Sequence, residues 1–481
     1  MSDSLNTKVR TATKWSTFTE IAAKLVTPIT SMILARLLTP EAFGVVTTLT
    51  MIITLAEIFT DAGFQKYLVQ HEFTDSQDRD ESTNVAFWSN LIMSFLIWGI
   101  IAVFAEPLAA LVGNPGLGNV LIVACISIPI AAFSSIQMAN YKRDLDFKSL
   151  FRVRIISTFI PLCVTVPLAF WLRSYWALIA GTITVHVVNA VLLTVYSKWK
   201  PRLFYSFAKL KEMFSFTVWS MIEAISIWLT HYVDVFIVGT MLSQYYLGLY
   251  KTSSSMVGQI MGLVTAITTP ILFSALSRLQ NDEEEFQRLF FRFQKCVGLL
   301  IIPLGVGIYI FKGLVTELIL GNQWTEAAGF VGLWGLTSAI TIVLSHYSSE
   351  VYRAKGKPKL SVLAQVLHII VLWPTILISV KYGFETLYVS RSLVRLQILV
   401  VNLCIMGWVV KMPVGKMLTN ILPSCFAASC MLFVLLLPQT ESIWINIVYA
   451  GIAAVIYFIV IMFFREERQT LLDLPRIIKN R

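Results

Sequence analysis

The chain has 481 residues, 56% of them apolar and only 14% charged, whereas soluble domains carry about 25% charged residues. A soluble globular protein is excluded and an integral membrane protein is indicated. The formal net charge of +10 sits mainly in loops between apolar runs, so it is a topology signal and a contact for lipid headgroups, and nucleic acid is excluded as a partner.

Apolar runs of about 20 residues, the length that crosses a bilayer core, predict an all-α integral membrane protein of about fourteen transmembrane helices. They lie at 15–37, 42–62, 84–105, 118–138, 154–172, 175–196, 214–240, 245–274, 290–311, 327–350, 360–380, 385–408, 417–437 and 442–464. The opening "MSDSLNTKVRTATKW" is polar and lacks the short apolar core of a cleavable signal, so the first helix is expected to remain. That helix carries a polar stripe of Thr13, Thr17, Glu20, Lys24, Thr27 and Ser31. Glu20 and Lys24 are one turn apart, the spacing of an ion pair that holds a helix in its bundle.

The second helix, in "TTLTMIITLAEIFTDAGF", places Thr47, Thr50, Thr54, Glu57 and Asp61 on one face by steps of three or four. An ionised side chain at bilayer depth costs roughly 2.5–3.5 kcal/mol unless it faces protein or water. A hydrated interior therefore accounts for the stripe. Asp61 has a second reading, an interfacial carboxylate at a helix end that Gly63 caps. The seventh helix repeats the pattern with Ser220, Glu223, Thr230 and Asp234, and with His231 beside them; the eighth carries Ser255, Gln259 and Thr269. Glu223 and Asp234 are too far apart along one face to pair. The ninth begins with Arg288, Arg292 and Lys295 in a basic loop, and the twelfth supplies Arg391, Arg395 and Asn402 on one face. Trp171, Trp176, Trp324 and Trp373 fall near span ends, where aromatic belts are expected. Pro28, Pro161, Pro167, Pro270, Pro303 and Pro374 are expected bends. The six cysteines lie in apolar spans without metal-ligand spacing, so no disulfide framework and no metal site is expected.

Basic residues concentrate in alternate loops, including "YKRDLDFKSLFR", "SKWKPRLFYSFAKLK", "YRAKGKPK" and the tail "REERQTLLDLPRIIKNR". With an even number of crossings, this asymmetry puts both termini in the cytoplasm. An offset of 204 positions lays Trp15-Ser16 on Trp219-Ser220, Leu38-Thr39 on Leu242-Ser243 and Gly44 on Gly248. Such internal similarity is expected of transporters built from repeated bundles. It predicts two pseudo-symmetric six-helix bundles, 1–200 and 201–411, around a central cavity, with two further helices and a cytoplasmic tail in 412–481.

The stretches "LARLLTPEAFGVVTTLTMI", "DAGFQKYLVQ", "LGLYKTSSSMVGQI", "PILFSALSRLQ" and "LGNQW" resemble the bacterial Wzx-type polysaccharide flippases, close to the exopolysaccharide and colanic-acid branch. That group belongs to the multidrug/oligosaccharidyl-lipid/polysaccharide exporter superfamily. The resemblance implies transfer of an undecaprenyl-diphosphate-linked oligosaccharide from the cytoplasmic to the outer leaflet of the bacterial inner membrane by alternating access. It implies membrane lipids, protons or sodium, and polysaccharide polymerase machinery as partners. For such a substrate the expected cavity ligands are Lys24, Arg391, Arg395, Gln259 and Glu20; the guanidinium forks of the two arginines match phosphate oxygens, although both also have a second reading as side chains that snorkel to the outer interface. Glu57, Asp61, Glu223, His231 and Asp234 are the expected ion-coupling groups.

No GxxxxGK[ST] loop occurs, so the chain is not expected to be its own ATPase, and no cofactor is expected. Lipid II-type and multidrug exporters share the implied architecture. A polysaccharide polymerase, ligase or lipid-linked glycosyltransferase would need a sizeable extramembrane loop with paired acids or bases, which the short outside loops do not supply. An enzyme is therefore not expected.

Overall fold

The computed structural model describes residues 23–61, 63–197, 199–438 and 442–471, with side chains except at 214–220, 223 and 267. Glu20 lies outside the described residues, as does the side chain of Glu223. The architecture is all-α. In chain order the principal helices are α1 (residues 23–37), α2 (Pro40–Asp61), α3 (Ser76–Val103), α4 (Gly118–Arg143), α5 (Phe147–Leu172), α6 (Tyr175–Tyr196), α7 (Phe207–Met241) and α8 (Gln244–Arg278). They continue as α9 (Glu283–Ile310), α10 (Asn322–Ala354), α11 (Lys359–Tyr382), α12 (Phe384–Trp408), α13 (Val414–Leu436) and α14 (Ile443–Met462). Among the described residues, thirteen helices, α2 to α14, are long and apolar enough to span a membrane, in α7 through the segment Ala224–Met241.

Contacts divide the chain into two compact units, Met1–Lys251 and Thr252–Arg481. In the first, α2, α3, α4 and α6 share a core built around Leu49, Leu121, Cys125 and Ile128. Phe64, Tyr67 and Phe87 anchor a second cluster. In the second unit, Tyr457 on α14 donates to the Leu299 carbonyl on α9 (2.9 Å), and Asn420 on α13 donates to the Phe291 carbonyl (2.9 Å).

Helix starts follow their local chemistry. Asp75, Asp146 and Asp282 each accept an amide three residues on, at 2.7, 3.1 and 3.1 Å, and so cap α3, α5 and α9. At α2, Pro40 occupies the first helical position and Glu41 the first turn, matching a helix start that needs no proline amide and favours negative charge. Lys209 near the start of α7 reaches Asp78 (2.5 Å) and Glu81 (3.2 Å) on α3. Burial alone would lower its ammonium pKa, but the two carboxylates outweigh burial and hold it above the ordinary value. Two helices widen into π turns, α5 at Pro161–Thr165 and α10 at Ile342–His346. Trp171 is 84% exposed, as a belt residue would be, but Trp324 is fully buried. The tight turn Asn322–Ala327 that opens α10 folds it inward.

The positions aligned by the sequence offset meet in space. A Cβ on Gly44 would strike the Gln244 carbonyl, and a Cβ on Gly248 would strike the Pro40 carbonyl. Each helix start thus presents its glycine to the other's first carbonyl, a local two-fold exchange between α2 and α8. Gly44→Ala and Gly248→Ala should each cost about 1–3 kcal/mol through backbone displacement. Gly258→Ala, where no atom lies within 4 Å of the added carbon, should be neutral or stabilising because alanine is the better helix former. Thermal unfolding of the detergent-purified variants checks this; equal melting temperatures for all three would refute the close-approach account.

Candidate functional site

The polar face of α2 borders two cavities inside the amino-terminal unit. The first, about 490 Å³, takes Thr47 and Thr50 from α2, Ser157 and Arg154 from α5, Asn189 from α6, and Lys251 from α8. The second, about 390 Å³, takes Thr54, Glu57 and Asp61 from α2, Asn90 from α3, Ser134 and Ser135 from α4, and His186 and Asn189 from α6. Asn189 lines both and hydrogen-bonds Ser157. The α2 stripe therefore runs along both chambers, with one amide between them.

Local hydrogen bonding sets what the walls present. Thr47, Thr50 and Thr54 donate to the carbonyls four residues back, Phe43, Val46 and Thr50, at 2.7, 2.7 and 2.8 Å. Their hydroxyl protons are thereby used within the helix, which leaves lone pairs to accept from the cavity side. Asn90, 1% exposed, donates to Ser135 at 2.6 Å.

Charge divides the two chambers. Among the described residues, the first is lined by two cations, Arg154 and Lys251, and by no carboxylate. The second is lined by Glu57 and Asp61 together with Lys66 and His186. Asp61 also accepts the Gln65 amide at 3.4 Å, across a turn in which Gly63 holds φ at +83°. Thus Asp61 faces the cavity and also steadies the start of the short helix Phe64–Gln70.

The remaining candidates are distributed elsewhere. Asp234 accepts from Tyr250 at 2.8 Å, which clasps α7 to α8 and sets the next residue, Lys251, beneath the Tyr232 ring at 5.6 Å. His231 is exposed and borders neither cavity. Lys24 is half-buried on α1, one turn before Thr27 of the first cavity. In the second unit, Gln259 donates to Ser255 on its own helix at 3.2 Å. Arg391 and Arg395 lie over the Trp334 ring at 5.1 and 4.0 Å, and Arg395 donates to Ser338 at 2.6 Å. Glu57 and Asp61 are thus brought together, whereas His231 and Asp234 stand apart from them. Lys66, Arg154, His186, Asn189 and Lys251 join the site without having been singled out for it by helical spacing.

If the chambers admit water, single cysteines at Thr50 and Ser135 should react with a charged thiosulfonate reagent. The background has the six native thiols, all free, replaced by alanine. A cysteine at Leu49, which is 1% exposed, should react roughly tenfold more slowly, because reaction needs a solvated thiolate. Equal rates at the three positions would mean that the chambers are dry.

The family profile described as "Polysaccharide biosynthesis protein" matches residues 33–329. An uncharacterised membrane protein in the cps region of Klebsiella pneumoniae is 21% identical over 78% of this chain and 77% of its own length. The succinoglycan biosynthesis transport protein ExoT of Rhizobium meliloti is 24% identical, with 68% of this chain and 65% of the relative covered. The lipopolysaccharide biosynthesis protein WzxC of Escherichia coli is 20% identical, with 67% and 65% covered. The matches therefore span just under two thirds of the last two relatives. Among solved structures, the lipid II flippase MurJ in an inward closed conformation superposes with a TM-score of 0.74 at 14% identity, over 94% of this chain and 99% of that one. An inward-facing multidrug resistance transporter of the MATE family gives 0.58 at 13% identity, over 82% and 96%. At these identities the likeness shows the fold.

Proposed function

The chain belongs to the polysaccharide biosynthesis protein family, and from that premise we propose that it flips an undecaprenyl-diphosphate-linked oligosaccharide repeat unit from the cytoplasmic to the outer leaflet of the bacterial inner membrane. The observation that carries the proposal is the set of charged and hydroxyl-bearing side chains that border two cavities of the amino-terminal unit. A cargo with a diphosphate and many hydroxyls needs both cations and hydrogen-bonding walls on its way through hydrocarbon. Arg154 and Lys251 supply charge in one chamber, and the threonine oxygens of α2 accept from sugar hydroxyls. Lys24, Arg391, Arg395, Gln259 and Glu20 complete the substrate set in this reading. The two bundles, 1–200 and 201–411, act as lobes of an alternating-access carrier with both termini cytoplasmic.

Glu57 and Asp61 take up the coupling ion, a proton or sodium, with Glu223, His231 and Asp234 as further candidates. The shared cavity favours the first two over the others. Transport rather than catalysis is proposed because the charged groups border cavities among apolar, membrane-length helices, and the relatives named for transport, such as the succinoglycan protein, point the same way. A polysaccharide polymerase would then receive the flipped unit. A lipid II-type or multidrug cargo is the alternative within the same fold.

Two measurements test this. Deleting the gene should make lipid-linked repeat units accumulate on the cytoplasmic face while external polymer disappears; unaltered polymer and no accumulation would reject the flippase assignment. In vesicles, Glu57→Gln with Asp61→Asn should slow gradient-driven transport about tenfold or more, equivalent to about 1.4 kcal/mol on the barrier. Retention of full gradient dependence in these variants and in Glu223→Gln, Asp234→Asn and His231→Gln would remove the coupling assignment.

A further inference from the structure

The stretch that joins α6 to α7 carries two faces of different chemistry. Trp199 packs edge-on against Phe87, with 5.7 Å between ring centroids, and Phe204, Leu210 and Met213 close onto the same core cluster. Between these inward residues, Arg202, Leu203, Tyr205, Phe207 and Lys211 are exposed. Leu203 is 93% exposed and Phe207 78%, and the Tyr205 ring meets the Phe207 ring edge-on at 5.3 Å rather than turning into the core. Apolar side chains this open, on a segment held to a packed core, mark a surface that something else covers.

Contacts with α3 fix the depth of this segment. The Arg202 amide donates to Asn84 at 2.7 Å, Trp88 donates to the Arg202 carbonyl at 2.8 Å, and the Ser89 and Tyr205 hydroxyls share a hydrogen bond at 3.0 Å. One turn further along, α3 begins to expose apolar side chains only: Ile92, Met93, Phe95, Leu96, Ile100 and Val103 face outward, while Asn90 and Ser94 are buried. On a membrane-length helix, such a face is the one that acyl chains meet. At about 1.5 Å per residue, a hydrocarbon core of about 30 Å that ends at Val103 begins about 20 residues earlier, near Asn84. Leu203, Tyr205 and Phe207 therefore stand at the boundary between hydrocarbon and headgroups.

Charge on the segment suits the headgroup side. The carboxylates beside it are already engaged: Asp78 and Glu81 hold Lys209, and Glu212 accepts from Tyr67 at 3.2 Å and lies 3.6 Å from His71. Arg202 and Lys211 are exposed and, among the described residues, make no ion pair. Lys211 follows Phe207 by one turn of α7, so the ammonium and the ring share a face. Basic groups beside exposed aromatic and aliphatic side chains, at interfacial depth, form a surface that attracts anionic lipid. We propose that the outward face of 199–211 docks on anionic phospholipid, with Leu203 and Phe207 at the acyl boundary and Arg202 and Lys211 on lipid phosphates. A zwitterionic headgroup offers the same phosphate but brings its own cation, so phosphatidylglycerol fits the surface better than phosphatidylcholine. The surface is separate from the two interior chambers and stands without the transport assignment.

The test uses the full chain with its six native cysteines replaced by alanine and a bimane probe on Leu203→Cys or on Gln77→Cys, the latter an exposed site in the first turn of α3. In nanodiscs of phosphatidylcholine and phosphatidylglycerol, nitroxide-labelled lipid should quench the probe at 203, and aqueous iodide should quench it far less than the probe at 77. In detergent, dioctanoylphosphatidylglycerol should shift the emission at 203 at lower concentration than dioctanoylphosphatidylcholine does. Arg202→Ala and Lys211→Ala should each weaken the apparent affinity for the anionic lipid about fivefold, the loss expected for one basic residue at an anionic surface. Both side chains are exposed, so the variants should melt with the parent. Iodide quenching at 203 equal to that at 77 would put the face in water or under a soluble partner and overturn the proposal. Equal affinity for the two lipids, or an affinity for phosphatidylglycerol unchanged in both variants, would overturn it as well. Transport plays no part in these readouts, so their failure would leave the flippase assignment standing.

Discussion

The amino-terminal unit depends on a steric constraint between two helix starts. Gly44 and Gly248 each leave room for a backbone carbonyl of the other helix, so α2 and α8 meet backbone to backbone. Once that crossing is set, the rotation of α2 is fixed as well. Thr48 on one side of the helix accepts from Asn114 at 2.5 Å, while Trp228 of α7 donates to the Met51 carbonyl at 3.1 Å. The Thr47–Asp61 face is left to border the interior. A contact made of hydrogen atoms and carbonyls thus decides where the charged groups of the second helix point.

That placement solves the energetic problem posed by Glu57 and Asp61. A carboxylate facing acyl chains would be expensive, but here both border a cavity that Lys66 and His186 also line. The threonines above them continue the polar surface with neutral hydroxyls, each of which donates its proton to a carbonyl of its own helix. Cations then enter the other chamber from α5 and α8. The result is an interior graded from basic to acidic along a single helix, with Asn189 at the division.

Much of this was legible in the chain, and the limits are physical. Apolar runs reported the helices because their length is imposed by the bilayer, and a period near 3.6 reported the α2 stripe. The repeat offset aligned Gly44 with Gly248 but could not say that aligned residues would touch. Lys66, His186, Asn189 and Lys251 were not assigned, because a cavity wall is assembled from several helices and no one-dimensional spacing records their meeting. Trp324 illustrates the opposite error. Its place at a span end suggested a belt, yet a tight turn buries it completely. The π turns at Pro161–Thr165 and Ile342–His346 were equally hidden, although Pro161 marked the first as a bend.

A shared fold does not by itself choose a cargo, since one architecture hosts many functions and the site must supply the distinction. The likeness to a lipid II flippase and to a multidrug transporter leaves both types of interior open. What separates them physically is the balance between apolar surface and fixed polar groups. Aromatic faces and carboxylates attract a hydrophobic cation, whereas fixed cations repel it. Here Arg154 and Lys251 stand among hydroxyls in one chamber, and in the second unit two arginines are stacked on one tryptophan, with Ser338 bonded to Arg395. Held in place by stacking, a guanidinium loses less freedom when an oxyanion arrives. Under the proposed function, such preset cations suit a phosphate-bearing cargo better than a cationic drug.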